Sequence, residues 1–301
     1  MAYYPLTQEE REKARTTDLA EYLRCCGEEI KRSGSEYQWL NAGRKVTLRG
    51  NLWFDQYEQV GGDAVEFLCH FYGMEYPNAV KTLVSMGIPQ VTVPVQPFPS
   101  KTLELPKKAE NMRRVYAYLL HQRGIDKDVL DTFVYRKLIY ESAEYHNAVF
   151  IGRDPTGEIR HIHKRSTAAK GGFKGNAPGS QPEYSFHWAG ADDTVFLFEA
   201  PIDMLSFITL HKSGWKNHSY AAACSVSDKV LWQMLKDQPW LKQVYLCLDS
   251  DEAGQSAAKR IAEKLETHSM KNEILVPKHK DWNEDLLHFR KEEAQWTASR
   301  P

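Results

Sequence analysis

The sequence contains few cysteines and no long apolar run. Five cysteines are scattered over 301 residues, at positions 25, 26, 69, 224 and 247. None of them forms a C-x-x-C pair, so the pattern predicts neither a disulfide framework nor a four-cysteine zinc site. No run of about 18 apolar residues is present, and the N-terminus lacks the basic-then-apolar pattern of a secretory signal. We therefore expect a cytoplasmic protein with no membrane partner.

The chain also has almost no net charge, because 39 basic residues face 40 acidic ones. This balance excludes a uniformly basic nucleic-acid-binding protein. The charge is nevertheless distributed unevenly along the chain. Residues 111–190 hold 12 basic and 8 acidic residues, whereas residues 191–301 hold 14 and 17. A basic middle and an acidic end are compatible with a phosphate-binding segment beside a cation-binding one.

A proline-rich stretch divides the chain. Five of the 14 prolines lie between positions 89 and 106, which predicts an extended linker because proline fixes φ and removes a backbone donor. The predicted parts are an N-terminal module over residues 1–88, a linker over 89–110, a middle domain over 111–190, a C-terminal domain over 191–290 and a tail over 291–301.

The last third of the sequence alternates apolar strands with amphipathic helices. The predicted strands are residues 195–198, 219–223, 244–248 and 273–276, and the predicted helices are residues 201–211, 228–236 and 253–268. This alternation predicts an α/β fold with a mostly parallel sheet flanked by helices. Short alternating segments upstream predict two smaller α+β units, with strands at 37–40, 45–48 and 52–54 and at 138–140, 148–152 and 159–163.

Acidic residues follow three of the predicted parallel strands. They are Glu199 and Asp203 after the first strand, Asp249 and Asp251 after the third, and Asp281 and Asp285 after the fourth. Strand alternation predicts that Asp249 and Asp251 point to the same side. A single acidic residue after a strand is most often a solvated cap, but ligands of open parallel sheets bind at the carboxyl ends of strands. Converging carboxylates repel unless a cation neutralises them, and hard oxygen ligands suit Mg²⁺ or Mn²⁺.

The acidic segments resemble the Toprim domain of primases, type IA and II topoisomerases and related nucleases. FEAPID (198–203) followed by LDSDEAG (248–254) has the Glu-then-D-x-D order of that family, and KDWNED (280–285) resembles the third acidic motif of primase-type Toprim domains. Ala200 stands where the family usually has glycine. The resemblance covers about residues 191–290 and implies a Toprim-type fold that performs phosphoryl transfer.

This resemblance assigns roles to the acidic residues. It implies that Glu199, Asp203, Asp249 and Asp251 are catalytic, with Glu199 as a general base or a metal-orienting group. It also implies a set of Mg²⁺ or Mn²⁺ ligands, namely Glu199, Asp249, Asp251, Asp281 and Asp285. Within these sets, Asp203 and Asp285 are predicted to be auxiliary.

The segments upstream resemble other parts of primases. DLAEYL, GSEYQWL and FDQYEQVGGDAVEFL are similar to the zinc-binding module of bacterial replicative primases. Asn41, Ala42 and residues 56–60 stand where its cysteines and histidine are expected, so we predict a retained fold without zinc. The middle region resembles an uncharacterised domain that precedes Toprim in primase-like proteins of conjugative elements, plasmids and phages.

The middle domain also contains a basic segment. Residues 160–174 hold no acidic residue, and their cations are Arg160, Lys164, Arg165, Lys170 and Lys174. Phe173 interrupts the run, and cations with an interleaved aromatic ring suit a single strand or a triphosphate. A solvated surface loop fits the same pattern equally well. Lys280 is a further candidate for a phosphate contact.

The residues and the resemblance together favour a primase-like nucleotidyltransferase. It would make short primers on single-stranded DNA from NTPs or dNTPs, in the replication or transfer of a mobile element. A Toprim-type nuclease and a non-catalytic DNA-binding accessory protein remain open as alternatives. The sequence has no G-x-x-x-x-G-K-[ST] loop, so a helicase or relaxase is expected as a separate partner.

Overall fold

The computed structural model describes residues 6–41, 44–55, 60–91, 102–168, 172–224 and 228–298. The chain divides into two units, Met1–Ser100 and Lys101–Pro301. Residues 92–101, which form the middle of the predicted linker, lie outside the described residues. The five-part division of the chain therefore stays a prediction.

The first unit is built on a five-stranded antiparallel sheet of order β1-β2-β3-β4-β5. Its elements are α1 (Gln8–Arg15), α2 (Leu19–Cys25), β1 (Ile30–Ser33), β2 (Glu36–Asn41), β3 (Arg44–Arg49), β4 (Leu52–Asp55), β5 (Val60–Gly62), α3 (Ala64–Tyr72) and α4 (Tyr76–Ser85). Aromatic rings fill its core, where the Trp39 ring centroid lies 5.1 Å from that of Phe67 and 5.0 Å from that of Phe71. Such ring pairs add stability beyond the burial of their surface.

The second unit begins with helices and a four-stranded antiparallel sheet of order β6-β7-β8-β9. Its elements are α5 (Arg113–Tyr116), a π-helical segment (Ala117–Gln122), α6 (Lys127–Tyr135), β6 (Ile139–Glu141), β7 (Ala148–Arg153), β8 (Ile159–Arg165) and β9 (Lys174–Asn176). The turn between β7 and β8 falls at the sequence D-P-T-G (154–157). The Asp154 side chain closes it by accepting hydrogen bonds from the backbone N–H groups of Thr156 and Glu158, both at 3.0 Å.

The rest of the second unit is the predicted α/β sheet. Its elements are β10 (His187–Trp188), β11 (Thr194–Phe198), α7 (Pro201–Leu210), β12 (Ser219–Ala222), α8 (Lys229–Asp237), β13 (Gln243–Cys247), α9 (Glu252–Thr267), β14 (Lys271–Ile274) and α10 (Trp282–Ala298). The strand order is β10-β12-β11-β13-β14. Neighbouring strands are parallel except for β10, which pairs antiparallel with β12. The structure therefore confirms the α/β fold with a mostly parallel sheet.

Both faces of this sheet are buried, as the continuous apolar strand VFLF predicts for a central parallel strand. Phe196 and Phe198 of β11 point to one face, where they pack in a core that also contains residues of α6, α7 and α10. Val195 and Leu197 point to the other face and pack with residues of α8 and α9. The helices thus cover the faces of the sheet, and the carboxyl ends of its parallel strands share one edge.

Some local expectations differ from the structure. β13 ends at Cys247, so Asp249 and Asp251 lie beyond the strand and strand alternation does not place them. β14 covers Lys271–Ile274 rather than residues 273–276, which lengthens the connection to α10. Among the residues that the structure describes, no helix is long and apolar enough to cross a membrane.

Candidate functional site

Carboxylates gather at the carboxyl edge of the parallel sheet. Phe198 and Cys247, the last residues of β11 and β13, are paired in register, so the segments bearing Glu199 and Asp249 leave the sheet side by side. Asp203 lies in the first turn of α7, and Asp281 directly precedes α10. The arrangement brings residues from three distant parts of the second unit to one edge.

The electrostatics of the site reflect this crowding. Burial, together with the negative charges of Glu199 and Asp281, raises the pKa of Asp249 to about 7. Burial also raises the pKa of Glu199, an effect that the nearby charge of Lys174 opposes. A carboxylate that is partly removed from water and faces other carboxylates favours its protonated form or a bound cation.

Asp203 lies deepest in the site. Its side chain is buried, and burial together with the charges of Asp281 and Asp249 raises its pKa well above the usual range. Its Oδ1 accepts a hydrogen bond of 3.3 Å from the backbone N–H of Asn283. This bond joins α7 to the first turn of α10 directly beneath the other carboxylates.

Two of the acidic residues also cap helices. The Asp251 Oδ1 accepts from the backbone N–H of Gly254 at 2.9 Å, and the Asp281 Oδ1 accepts from that of Glu284 at 2.8 Å. Each bond uses one oxygen of the carboxylate and fixes its direction. Gly254 is required in this turn, because a Cβ there would lie 2.4 Å from the Asp249 carbonyl oxygen.

The segment that carries Lys280 and Asp281 is held by residues on both sides. The backbone N–H of Ser250 donates to the Lys280 carbonyl at 2.9 Å. Asp285 accepts from the backbone N–H groups of Lys278 at 2.9 Å and His279 at 2.8 Å, and its Oδ1 lies 2.7 Å from the His279 Nδ1. Both oxygens of Asp285 are thus engaged within this segment, and its role as an auxiliary metal ligand stays a prediction.

Trp282 connects this segment to the core of the sheet. Its indole Nε1 donates to the carbonyl oxygen of Cys247 at 2.9 Å. Its ring lies edge-on to that of Phe207 in α7, with 4.9 Å between the ring centroids. The first turn of α10 is therefore fixed against both β13 and α7.

The donor set fits a hard divalent cation. The Asp249 Oδ1 is buried and has no hydrogen-bond partner among the described residues, although a buried polar oxygen normally has one. The neighbouring groups supply oxygen atoms, the ligands that Mg²⁺ and Mn²⁺ prefer. Within the described ranges, no three His, Cys, Asp or Glu side chains already form a group that could hold a metal. Mg²⁺ commonly binds one or two carboxylates and takes its other ligands from water and phosphates.

The structure distributes the predicted basic residues over different places. Lys174 and Lys280 both lower the pKa of Glu199, so their charges lie close to it. Arg160 forms ion pairs of 2.8 Å with Asp154 and with Glu158. Their carboxylates neutralise it at the β7–β8 turn.

The remaining cations of the segment follow the antiparallel sheet. The Arg165 Nε donates to the Tyr118 hydroxyl at 3.3 Å, and the Lys164 Nζ lies 5.6 Å from the centre of the Phe173 ring. Lys170 lies outside the described residues. Within the predicted set, Lys174 and Lys280 are thus the cations that the structure places next to the carboxylates.

Asn283 is a structural element of the site that the sequence analysis missed. Its Nδ2 donates to the carbonyl oxygen of Arg123 at 2.8 Å and to the Ser206 hydroxyl at 2.9 Å, and its Oδ1 accepts from the Arg123 Nη1 at 3.1 Å. The sequence signal that could have indicated Asn283 was an amide residue within an acidic segment, between Asp281 and Glu284. Its partners lie 77 and 160 positions away, beyond the reach of local patterns.

Two family models match adjoining parts of the second unit. Residues 196–286 match a model described as Toprim-like, and residues 117–192 match one described as a protein of unknown function, DUF3991. The carboxylates Glu199, Asp203, Asp249, Asp251 and Asp281 all lie within the Toprim-like match. The chain therefore carries a Toprim-like domain, which supports the resemblance that the acidic motifs indicated.

The curated relatives that match the chain are described as uncharacterized proteins. A protein of Bacillus anthracis is 22% identical over 325 residues, which cover 98% of this chain and 93% of the relative. A protein of Mycoplasma genitalium is 31% identical over 109 residues, 36% of this chain and 46% of that protein. Its homologue in Mycoplasma pneumoniae is 33% identical over 126 residues, 40% of this chain and 57% of that protein.

Solved structures of primases are among those that match the chain. The zinc-binding and RNA polymerase domains of the Aquifex aeolicus primase share 17% identity, with a TM-score of 0.41, over 96% of this chain and 84% of that one. The primase fragment of the bacteriophage T7 primase-helicase shares 19% identity, with a TM-score of 0.47, over 83% of this chain and 92% of that one.

Proposed function

We propose that the chain is a primase-type nucleotidyltransferase that synthesises short primers on single-stranded DNA from NTPs or dNTPs. The observation that carries this proposal is the group of carboxylates at the carboxyl edge of the Toprim-like domain. One buried oxygen of Asp249 has no hydrogen-bond partner among the described residues, and the charges of Lys174 and Lys280 act on Glu199. Nucleotidyl transfer needs such a combination, because carboxylates hold the catalytic cation and lysines offset phosphate charge.

Four carboxylates are the proposed Mg²⁺ or Mn²⁺ ligands, namely those of Glu199, Asp249, Asp251 and Asp281. A divalent cation bound there would offset charge on the nucleotide phosphates and lower the pKa of the attacking hydroxyl. Because Asp251 and Asp281 are also helix caps, the direction of one oxygen of each is fixed in advance. Asp203, whose pKa burial raises well above the usual range, would position Asn283 rather than bind a cation.

The reaction joins a hydroxyl oxygen to the α-phosphorus of a nucleoside triphosphate and releases pyrophosphate. The Glu199 carboxylate oxygen that does not bind the cation is the proposed acceptor of the hydroxyl proton. Lys174 and Lys280 would contact the triphosphate, and the leaving pyrophosphate would keep the electron pair of the broken bond. Lys164 and Arg165, on the adjacent antiparallel sheet, would contact the template strand.

Unwinding of duplex DNA would come from a separate helicase or relaxase of the same mobile element. The 301 residues contain no G-x-x-x-x-G-K-[ST] loop, the sequence that cradles the phosphates of ATP in many helicases. The proposed reaction therefore needs a single-stranded template that another protein supplies.

The test is incubation of the full chain with single-stranded DNA, NTPs or dNTPs, and Mg²⁺ or Mn²⁺. We expect new oligonucleotides that disappear with Asp249→Asn, whereas the matched control Asp237→Asn, an exposed aspartate of α8, keeps them. DNA that becomes shorter without nucleotide incorporation would instead identify a nuclease that uses the same carboxylates. Binding of DNA with neither product would identify an accessory protein.

A further inference from the structure

A second concave surface lies at the opposite edge of the parallel sheet. A cleft of about 690 Å³ opens between the end of α6 and residues 188–191 and 216, next to the points where β11 and β12 begin. A five-residue parallel strand is about 15 Å long, so this cleft is separated from the carboxylates by the length of the sheet. Its volume lies within the usual range of ligand-binding pockets.

Two aromatic rings and two cations line the cleft. The Tyr135 side chain is 85% exposed at the end of α6. The Arg136 guanidinium lies 5.8 Å from the centre of the Trp188 ring, and Lys216 lines the same surface. In the described part of the chain, neither Arg136 nor Lys216 has an ion-pair partner.

The acidic residue of the lining does not neutralise these cations. Asp131 accepts a hydrogen bond from the Tyr116 hydroxyl at 2.7 Å and forms an ion pair of 2.5 Å with Lys127 on its own helix. These contacts lower the pKa of Asp131, and Lys127 offsets its charge. The side chains facing the cleft therefore leave a net positive surface for an anionic ligand.

The floor of the cleft is rigid. A Cβ at Gly190 would lie 2.2 Å from the Asn217 carbonyl oxygen, so this backbone approach requires glycine. That same oxygen accepts hydrogen bonds from the backbone N–H groups of Ala191 at 2.7 Å and Asp192 at 2.9 Å. A floor that does not need to reorganise reduces the entropic cost of binding.

We propose that this cleft binds a nucleobase that carries phosphate. The planar base would stack on Tyr135, and Arg136 and Lys216 would contact the phosphate. The described residues of the lining include no Leu, Ile, Val or Met, the aliphatic side chains that would receive the apolar anchors of a peptide. The ligand is either a free nucleotide or part of a single strand, and its binding does not depend on the reaction proposed above.

The experiment measures binding in EDTA, so that the outcome is independent of any metal-dependent reaction. The variants are Tyr135→Ala and the double variant Arg136→Gln/Lys216→Gln. Their matched controls are Tyr145→Ala, which removes a tyrosine that is 78% exposed outside the cleft, and Lys259→Gln/Arg260→Gln on α9. The probes are a fluorescein-labelled 20-nucleotide oligothymidylate and a fluorescent ATP analogue, each followed by anisotropy.

For a single strand, we expect Tyr135→Ala to weaken oligonucleotide binding roughly fivefold or more, as the loss of one stacking ring does. The double variant should also reduce the slope of log K against log salt by about 0.7, because the two cations contact one phosphate and each neutralised phosphate of a single strand accounts for about 0.7. Weaker binding of the ATP analogue, together with unchanged binding of the oligonucleotide, would identify a free nucleotide as the ligand. Both results support the cleft as a binding site.

Photo-crosslinking reports contact at the cleft itself, whereas the measured affinity also includes contributions from any other DNA-binding surface. An oligonucleotide with 5-iododeoxyuridine should crosslink to the peptides that contain Tyr135 or Trp188, and the double variant should lower that yield. Unchanged affinity for both probes relative to the controls, with no crosslink to either peptide, would overturn the proposal. Circular dichroism of every variant establishes that the fold is retained.

Discussion

The hydroxyl of Ser250 donates a hydrogen bond of 2.7 Å to the carbonyl oxygen of His279. Ser250 stands between Asp249 and Asp251, whereas His279 lies on the connection that leads to Asp281. The bond therefore ties the two acidic segments of the candidate site to each other. A cation held by both segments needs their spacing to be fixed, and Ser250 supplies a direct link between them.

Ser250→Ala should impair primer synthesis more than stability. The variant keeps the backbone bond to Lys280 but loses the hydroxyl contacts to the His279 and Lys280 carbonyls, at a cost of about 1 kcal/mol in unfolding free energy. A small shift of Asp281 should lower the turnover rate roughly tenfold or more and raise the Mg²⁺ concentration for half-maximal activity. The control is Thr267→Ala, which removes a hydroxyl bond of 2.7 Å to the Lys264 carbonyl at the end of α9. Equal activity of the two variants would contradict the role of Ser250.

Mg²⁺ should stabilise the protein through Asp249. Binding to the folded state alone adds about 2.7 kcal/mol at a concentration 100 times the dissociation constant, which corresponds to roughly 5–10 °C in Tm. Asp249→Asn should lose this shift and should not lower the Tm of the metal-free protein, because the charged form of Asp249 is disfavoured by burial. Differential scanning fluorimetry with and without Mg²⁺ measures both effects. An equal Mg²⁺ shift in this variant and in Asp237→Asn would argue against the site.

Asn283→Ala should destabilise the second unit by about 2–3 kcal/mol. The variant leaves the Arg123 carbonyl and the Ser206 hydroxyl without the partner that the structure gives them, and buried polar groups without partners are costly. Urea unfolding measures the change. Asn272→Ala is the control, since the Asn272 side chain donates only a local bond of 3.3 Å to the Met270 carbonyl. A loss no larger than that of the control would show that the network does not support the site.

Acid should destabilise the second unit through a buried histidine. His161 is fully buried, and neither ring nitrogen has a hydrogen-bond partner among the described residues. Burial lowers its pKa to about 3, with smaller effects from His163 and His187, against about 6.5 in an unfolded chain. The unfolded state then binds the proton more tightly, so stability falls as the pH decreases from about 6.5 to about 3.

This histidine should account for about 2 kcal/mol of stability lost between pH 7 and pH 5. His161→Phe should flatten the pH dependence measured by urea unfolding, whereas His121→Gln, which removes an exposed histidine, should not. Burial also lowers the pKa of His163, to about 4, so part of the slope should remain. A His161→Phe protein with the full wild-type slope would exclude His161 as the main cause.

The α/β sheet could be predicted from the sequence because its signals are local. Apolar runs such as VFLF and VYLCL have strand length, and the acidic residues that follow them are adjacent in sequence to the strands that position them. Knowledge of the strand order was not needed to infer that Glu199 and Asp249 share an edge. Parallel strands place all their carboxyl ends there.

The parts that could not be predicted depend on distant partners. Arg160 and Lys174 each count as one positive charge in the sequence. In the structure, the carboxylates of Asp154 and Glu158 in the β7–β8 turn neutralise Arg160. Lys174 instead lies near Glu199. Asp285 fits the acidic motif as well as Asp281 does, and only the conformation of residues 278–280 shows that its oxygens are engaged. The cleft at the opposite edge combines α6 with residue 216, which no local pattern joins.

The position of Trp282 has a spectroscopic consequence. The Trp282 indole donates to the carbonyl oxygen of Cys247, the last residue of β13, and Trp282 directly follows Asp281. Its fluorescence emission should therefore depend on the distance between the two segments that would share a cation. The protein contains eight tryptophans, and the difference between the wild-type spectrum and that of Trp282→Phe isolates this one. The chain thus carries an intrinsic optical reporter beside the proposed site, which can follow cation binding without a label or a substrate.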